Sequence, residues 1–202
     1  CVSINGANRL GSNSLTELLV FGSRAGKAAA QYALEHPDIN TETLKLQEKD
    51  EQERISKNFF RKEGGTERIV TLRKEMHETM ETGAGIYRSE KSLETTCNKI
   101  HELKDRFSNI ILEDKSISFN TELTSALELE FMLDVAETIA HSALARTESR
   151  GSHQRTDFIE RDDENFLKHS MSYKTDTGPR VDYKNVVITE WPPAERVYGK
   201  EE

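Results

Sequence analysis

The amino-acid sequence predicts a mainly α-helical protein, an antiparallel helical bundle that ends in a β-hairpin. Apolar residues recur every three or four positions along most of the chain, and glycine or proline separates these segments. Near the end of the chain the pattern changes to strand composition around a Gly-Pro turn. We therefore expect three parts: a loop and helix at residues 1–36, a helical bundle at 37–150, and a charged loop with a hairpin at 151–202.

The first predicted helix begins directly after a loop rich in glycine and asparagine. Ser14 and Glu17 form an S-x-x-E capping box, and apolar and small residues continue the helix to about Leu34, before Pro37. Small side chains along this helix permit close approach to another element, which we expect in a part of the protein outside this chain. These small residues are Gly22, Ala25, Gly26 and Ala29.

A second helix is predicted from Thr41 to about Arg61, where the chain is highly charged and only weakly periodic. This composition indicates a helix on the surface. Gly64 and Gly65 then interrupt the chain.

Three further helices are expected to pack as an antiparallel, spectrin-repeat-like bundle, because short loops join them. The first runs from Thr66 to Thr82 and ends at Gly83 and Gly85. Its predicted buried face consists of Ile69, Leu72, Met76 and Met80. The second carries Leu93, Cys97, Ile100, Leu103, Phe107 and Ile110 on one face. The third and longest has a heptad-like seam of Leu129, Met132, Ala136, Ile139 and Ala143.

Charges alternate densely between Glu148 and Asp163. Such a run is usually a solvated surface, but Gly151 and the close interleaving of signs favour a folded loop held by internal ion pairs. After this loop, strand-like residues flank a turn at residues 176–179, which predicts the terminal hairpin. The strand-like residues are Met171, Tyr173, Val181, Tyr183, Val186 and Ile188.

Composition excludes several classes of function. The net charge of −8 and the pI of about 5.4 argue against binding to nucleic acid or to an anionic membrane. No apolar run approaches the roughly 18 residues that span a bilayer, so any membrane association is expected through partners. Cys1 and Cys97 stand in no disulfide framework or metal-binding spacing, and His77 and His101 begin H-E-x-x-H patterns that lack the second histidine. His141 and His153 are expected to be hydrogen-bonded structural residues.

The loop at residues 5–15 is the strongest candidate for a functional site. Because it runs into a helix N-terminus, it presents backbone N–H groups and the positive end of a helix dipole, which suit an anionic or electron-rich ligand. Arg9 adds a planar guanidinium that can hold a carboxylate through two hydrogen bonds. Gly6 and Gly11 have the spacing of a phosphate-binding loop, but Ser12-Asn13 stands where Lys-Ser/Thr is required. The residues alone leave open an ordinary capped helix start with a surface arginine.

The sequence of this loop, Asn-Gly-Ala-Asn-Arg-Leu-Gly-Ser-Asn-Ser-Leu, closely resembles the substrate and flavin loop of succinate dehydrogenase and fumarate reductase flavoprotein subunits. Asn5 departs from the family, in which many members carry histidine at this position. The similarity covers nearly the whole chain. Further matching segments are 85–88 (Gly-Ile-Tyr-Arg), 119–121 (Phe-Asn-Thr), 148–155, 157–158, 161–163 and 166–169.

The resemblance implies roles for four residues. Arg9 would hold a carboxylate of succinate or fumarate beside the flavin, and the backbone at Ser12 would lie against the substrate. The backbone N–H groups of Ser14 and Leu15 would reach the pyrimidine edge of the flavin ring. The family's proton-transferring arginine, its other carboxylate-binding residues and its flavin-linked histidine precede the matched region and correspond to no residue here.

The resemblance also implies a Rossmann-type FAD protein, yet no G-x-G-x-x-G follows a strand in this sequence. We therefore expect the chain to be the C-terminal part of a longer flavoprotein. Residues 1–36 would then complete an absent FAD-binding domain, and the isolated chain would bind no FAD.

The implied whole enzyme interconverts succinate and fumarate and passes electrons from FAD to an iron–sulfur subunit. Membrane-anchor subunits would hold it at the cytoplasmic face of the inner membrane, and the segment from Glu148 to Asp163 would lie toward the iron–sulfur subunit as a docking element. Two alternatives remain at this stage. One is an L-aspartate oxidase-type flavoenzyme, and the other is a helical docking module without catalytic activity.

Overall fold

The computed structural model describes residues 13–37, 41–190 and 192–194. The α-helices are α1 (Asn13–Glu35), α2 (Thr41–Ile55), α3 (Ile69–Ala84), α4 (Glu90–Phe107), α5 (Thr121–Ala145) and α6 (Asp163–Phe166). The strands are β1 (Tyr87–Arg88), β2 (Gln154–Arg155), β3 (Lys168–Tyr173) and β4 (Arg180–Asn185). A mainly α-helical fold with a terminal β-hairpin is thus confirmed.

Helix α1 matches its predicted bounds and contributes no buried residue to the described structure. Its apolar side chains are exposed, with Leu15 74%, Leu18 65% and Leu19 77% accessible. A 23-residue helix with an exposed apolar face is typical of an element that packs against another part of a protein.

The predicted surface helix from Thr41 to Arg61 is correct only in its first part. α2 has no buried residue, but the α-helix ends at Ile55 and a π-helical turn follows at Ser56–Phe60. This turn places Phe59 in the core, edge to face against Phe107 with ring centroids 6.4 Å apart. Because the turn has a different period from an α-helix, the heavily charged sequence did not reveal this buried anchor.

Helices α3, α4 and α5 form the three-helix bundle. The start of α3 meets the end of α4, where the Ile111 amide donates to the Glu67 carbonyl at 3.2 Å. At the other end, Ala84 of α3, Leu93 of α4 and Ala143 of α5 share a buried cluster. Helices adjacent in sequence therefore run antiparallel, as predicted. The main core consists of Phe59, Ile69, Leu72, Met76, Ile100, Leu103, Ile110, Leu112, Ala126, Leu129, Leu133 and Ala136.

The predicted seam of α5 is partly wrong. Leu129, Ala136 and Ala143 are buried, but Ile139 is 44% exposed, and Leu133 and Ala140 take the intervening core positions. α5 carries apolar residues around its whole circumference, so two seams with alternating spacings of three and four fit the sequence equally well. Only packing against α3 and α4 selects between them.

The terminal hairpin is confirmed. β3 and β4 pair antiparallel with Tyr173 opposite Arg180, and Gly178 adopts a positive φ of 110° in the turn between them. The Tyr183 hydroxyl donates to the Ala145 carbonyl at 3.0 Å, which ties the hairpin to the end of α5. β4 ends at Asn185, so the predicted strand residues beyond it lie outside the ladder. The domain limits at residues 36 and 150 remain predictions.

Candidate functional site: the start of the first helix and the charged loop

Two of the four predicted site residues, Arg9 and Ser12, lie outside the described residues. Ser14 and Leu15 lie in the first turn of α1, as the helix start predicted. The first turn contains no acidic side chain, and the start of a helix carries the positive end of the helix dipole.

The charged loop from Glu148 to Asp163 is folded and held by ion pairs, as predicted. At its centre lies Glu148, which is fully buried. Glu148 Oε1 accepts from Arg146 Nη1 at 2.5 Å and from Arg150 Nε at 2.8 Å. Its Oε2 accepts from the Asp162 amide at 2.8 Å, while Arg150 also pairs with Asp163 at 2.6 Å. One buried carboxylate thus joins the end of α5 to the start of α6.

Arg155 is the second buried charge of this loop, and it caps the end of α5. Its Nη1 donates to the carbonyls of Ala143, Leu144 and Arg146 at 3.2–3.3 Å. These carbonyls lie at the end of the helix, where carbonyl oxygens have no N–H donor within the helix. A cation at this end also complements the helix dipole.

Asp157 completes a link from this arginine to α4. It binds Arg155 through two hydrogen bonds of 2.7 and 2.8 Å, and its Oδ2 accepts from the Glu90 amide at 2.7 Å at the start of α4. The guanidinium of Arg155 and the backbone donors hold the pKa of this carboxyl well below its usual range. The pair therefore clamps the end of α5 to the beginning of α4.

His153 is buried between the Arg88 side chain and the backbone of Arg146. Its Nδ1 lies 2.9 Å from Arg88 Nη1, and its Nε2 lies 3.1 Å from the Arg146 carbonyl. Because a guanidinium only donates, Nδ1 is the acceptor and Nε2 carries the proton. Burial, with the charges of Arg88, Arg155 and Arg146, lowers the pKa of His153. It is a neutral, hydrogen-bonded structural histidine, as predicted.

No physical feature of the sequence indicated that Arg88 and Arg146 belong to this network. Arg88 lies on β1, which pairs in parallel with β2. Arg146 follows α5 and also donates to the Phe166 and Lys168 carbonyls at 2.8 and 2.6 Å. The match of residues 85–88 to the family was the only available signal for Arg88. Together these contacts fix the end of the bundle and the base of the hairpin in one geometry.

Other chemistry finds no support in the described residues. They contain no group of three or more histidine, cysteine, aspartate or glutamate side chains that could hold a metal ion. Cys97 is buried, and burial raises the pKa of its thiol to about 11, so it is not a nucleophile at neutral pH. In the same part of the chain, no helix is at once long and apolar enough to cross a membrane.

Comparison with known proteins agrees with this arrangement. A family model described as fumarate reductase flavoprotein C-term matches residues 73–198. The fumarate reductase flavoprotein subunit of Mycobacterium tuberculosis H37Rv is 51% identical over 99% of this chain and 35% of its own length. The succinate dehydrogenase flavoprotein subunit of Rickettsia conorii is 38% identical over 98% of this chain and 34% of its own length.

Among solved structures, the FrdA chain of E. coli quinol fumarate reductase is similar to this chain with a TM-score of 0.90. It is 44% identical over 98% of this chain and 34% of its own length. The chain therefore spans about one third of the relatives it matches. The extent and identity of these matches show that the chain belongs to the fumarate reductase and succinate dehydrogenase flavoprotein subunit family, of which it represents the C-terminal region.

Proposed function

We propose that this chain is part of a flavoprotein subunit that interconverts succinate and fumarate. The observation that carries the proposal is 51% identity to a fumarate reductase flavoprotein subunit over 99% of the chain. This span includes the loop before α1, where the carboxylate-binding residue types stand. FAD, when bound, supplies the hydride exchange of the reaction.

Arg9 is proposed to hold one carboxylate of the substrate. A guanidinium can make two parallel hydrogen bonds to a carboxylate, so it fixes the orientation of a dicarboxylate as well as its position. The orientation of the substrate sets the angle at which its C–H bond faces the hydride acceptor. Correct alignment of these groups contributes strongly to the rate of hydride transfer. The backbone at Ser12 is proposed to lie against the same substrate.

Ser14 and Leu15 are proposed to hold the pyrimidine edge of the flavin. Both lie in the first turn of α1, where backbone N–H groups and the helix dipole favour negative charge. A reduced flavin carries negative charge at that edge, so these groups would stabilise the reduced state more than the oxidised state. The residues that hold the rest of FAD would be supplied by the part of the subunit outside this chain.

The proposed partners follow from the same assignment. An iron–sulfur subunit would accept the electrons, and membrane-anchor subunits would hold the complex at the cytoplasmic face of the inner membrane. We propose that the charged loop has a docking and orienting role toward the iron–sulfur subunit. Support comes from its rigid internal pairing, which fixes its surface before any partner binds.

A substrate panel on the full-length subunit tests the proposal. We expect the purified subunit to carry FAD, to reduce fumarate with a reduced dye and to oxidise succinate with an oxidised dye. Oxidation of L-aspartate in place of succinate would assign the chain to the L-aspartate oxidase type. Absence of both activities in a subunit that retains FAD would contradict the proposed reaction.

A further inference from the structure

The loop between α4 and α5 carries a feature that the proposed function does not use. Its residues 119–121 match the family, but the match assigns no role to Phe119. The Phe119 side chain is 102% exposed and Ile117 is 90% exposed, so neither side chain packs against the bundle. Two large apolar groups stand in solvent at the end of the bundle where α3 and α5 begin.

Phe119 also has an unfavourable backbone conformation. Its φ is +56°, and it is the one non-glycine residue with a positive φ in the described part of the chain. The left-handed region suits glycine or asparagine, whereas a bulky side chain there is strained. Because the Phe119 side chain is exposed, it makes no packing contact in this structure that would offset the strain.

The loop is nevertheless held in a defined shape by polar contacts. The buried side chain of Asn120 donates to the carbonyls of Asp114 and Ser116, both at 2.9 Å, and accepts from the Leu123 amide at 2.7 Å. Asp114 in turn accepts from the Ser116 amide at 2.8 Å. The loop therefore presents Phe119 and Ile117 in a fixed position, as a preorganised binding element does.

A cleft beside this loop is lined by a residue that has an unsatisfied buried donor. The cleft has a volume of about 370 Å³, and Thr121 lines it together with Val70 and Ile111. Arg73 lines it too, and its buried Nε has no hydrogen-bond partner in the described structure. A buried donor without an acceptor is costly, so the packing around Arg73 is incomplete in the described residues.

We propose that Phe119 is an anchor for the rest of the same flavoprotein subunit, the two thirds that precede this chain in the relatives. That part would supply an apolar pocket for the Phe119 ring and would pack in the cleft beside Arg73. The inference rests on the proposed function in one respect, that the chain is part of such a longer subunit.

The length of chain outside the structure favours this occupant. This chain covers 35% of the M. tuberculosis relative and 34% of the E. coli relative. Each relative therefore has about twice the length of this chain outside the matched region. α1, which has no buried residue, indicates that the same polypeptide supplies packing surfaces absent here. A covalently joined partner also has a high effective concentration at this end of the bundle.

Photo-cross-linking in the full-length subunit tests the proposal. Phe119 is replaced by p-benzoylphenylalanine, which keeps the aromatic ring, and the sample is irradiated and digested for mass spectrometry. We expect a cross-link to a peptide of the same polypeptide that precedes Cys1. A cross-link to an iron–sulfur subunit or to a second copy of the subunit, or none at all, overturns the proposal.

The matched control carries the same photoreactive residue at His101, an exposed position on the polar face of α4. It should give no cross-link to the preceding segment. Fumarate reduction by the unsubstituted subunit is measured in parallel, so loss of the proposed reaction and loss of the proposed contact are seen separately.

A second variant, Phe119→Asn, gives a reading that does not depend on cross-linking. Asparagine tolerates a positive φ, so in the absence of an anchor this variant should keep or raise the melting temperature of the full-length subunit. We expect the melting temperature to fall by several degrees, because the ring contact is lost. An unchanged or raised melting temperature overturns the proposal.

Discussion

At the scale of single residues, Glu148 is the group on which the charged loop depends. It is fully buried and shared by Arg146 and Arg150. Glu148→Gln keeps the size but leaves both guanidinium groups without this counter-charge. Removing one partner of a buried ion pair costs about 3–5 kcal/mol, so we expect the free energy of unfolding to fall by about that amount in urea titrations.

The matched control for this prediction is Glu113→Gln. Glu113 forms an exposed pair with Arg68, whose side chain is 67% accessible. Exposed pairs contribute about 0–1 kcal/mol, so this variant should unfold almost as the parent does. Equal losses in the two variants would mean that burial of Glu148 has no energetic consequence.

His153 predicts a pH dependence of stability. Its pKa is lowered in the folded state below the ordinary value of 6.5. Below pH 6.5 the unfolded chain therefore binds a proton that the folded chain does not, and acidification favours unfolding. We expect the free energy of unfolding to decrease as the pH falls from about 7 to about 5. The His153→Gln variant should lose less stability over this range. Identical pH profiles for parent and variant would exclude His153 as the source.

The substitution Arg9→Lys tests the role of Arg9 at the proposed substrate site. Lysine keeps the positive charge but loses the two-point contact with a carboxylate. The substrate can then rotate about the one remaining hydrogen bond. We expect kcat and kcat/KM of the full-length subunit to fall together by about two orders of magnitude. Flavin content should stay normal, because backbone groups at Ser14 and Leu15 are unaffected. A near-parental kcat/KM for fumarate would remove Arg9 from the active site.

At the scale of elements, Gly83 determines how closely α3 and α4 pack. A Cβ added at Gly83 would lie 1.9 Å from Thr96 Oγ1 and 3.0 Å from the Ser92 carbonyl oxygen. Gly83→Ala should therefore separate the helices and lower the free energy of unfolding by about 1–3 kcal/mol in urea titrations, despite alanine's higher helix propensity.

A double-mutant cycle with Thr96→Ala isolates the cause. Thr96→Ala alone loses the hydrogen bond from Oγ1 to the Ser92 carbonyl at 2.9 Å. Combined with Gly83→Ala, it also removes the nearest clashing atom, so the double variant should lose less stability than the sum of the single variants. Strict additivity would show that the close approach at Thr96 is not what disfavours alanine.

Local patterns in the sequence were sufficient to predict most elements. α1 was predicted from its capping box and Pro37, and the hairpin from strand composition around Gly178. Both signals act within a few residues, where propensity and backbone geometry decide the outcome. Gly83 shows the limit: it was predicted to end α3, but it lies inside the helix, where its missing side chain serves packing.

The contacts between distant segments could not be predicted from the sequence. The alternation of charge correctly indicated internal pairing in the loop, but not that Arg155 caps α5 or that Asp157 binds the start of α4. These contacts join residues brought together only after the bundle has formed. Likewise, apolar residues occur on every side of α5, so its inward face is set by its neighbours.

At the scale of the whole molecule, the described structure separates a self-contained bundle from elements that have no packing of their own. The bundle buries a core of apolar side chains, and the charged loop that follows it pairs its charges internally. α1 and the Phe119 loop instead expose their apolar side chains. This division is consistent with a chain that covers one third of its relatives.

The most direct test of the proposed function is anaerobic reoxidation of the flavin in the full-length subunit. The subunit is reduced chemically, excess reductant is removed, and one equivalent of fumarate is added while the flavin absorbance is recorded. We expect the oxidised flavin band to return with formation of one succinate per flavin, and the 202-residue chain in parallel to show no flavin band. A subunit that retains FAD but stays reduced in the presence of fumarate, or stoichiometric FAD in the 202-residue chain alone, would contradict it.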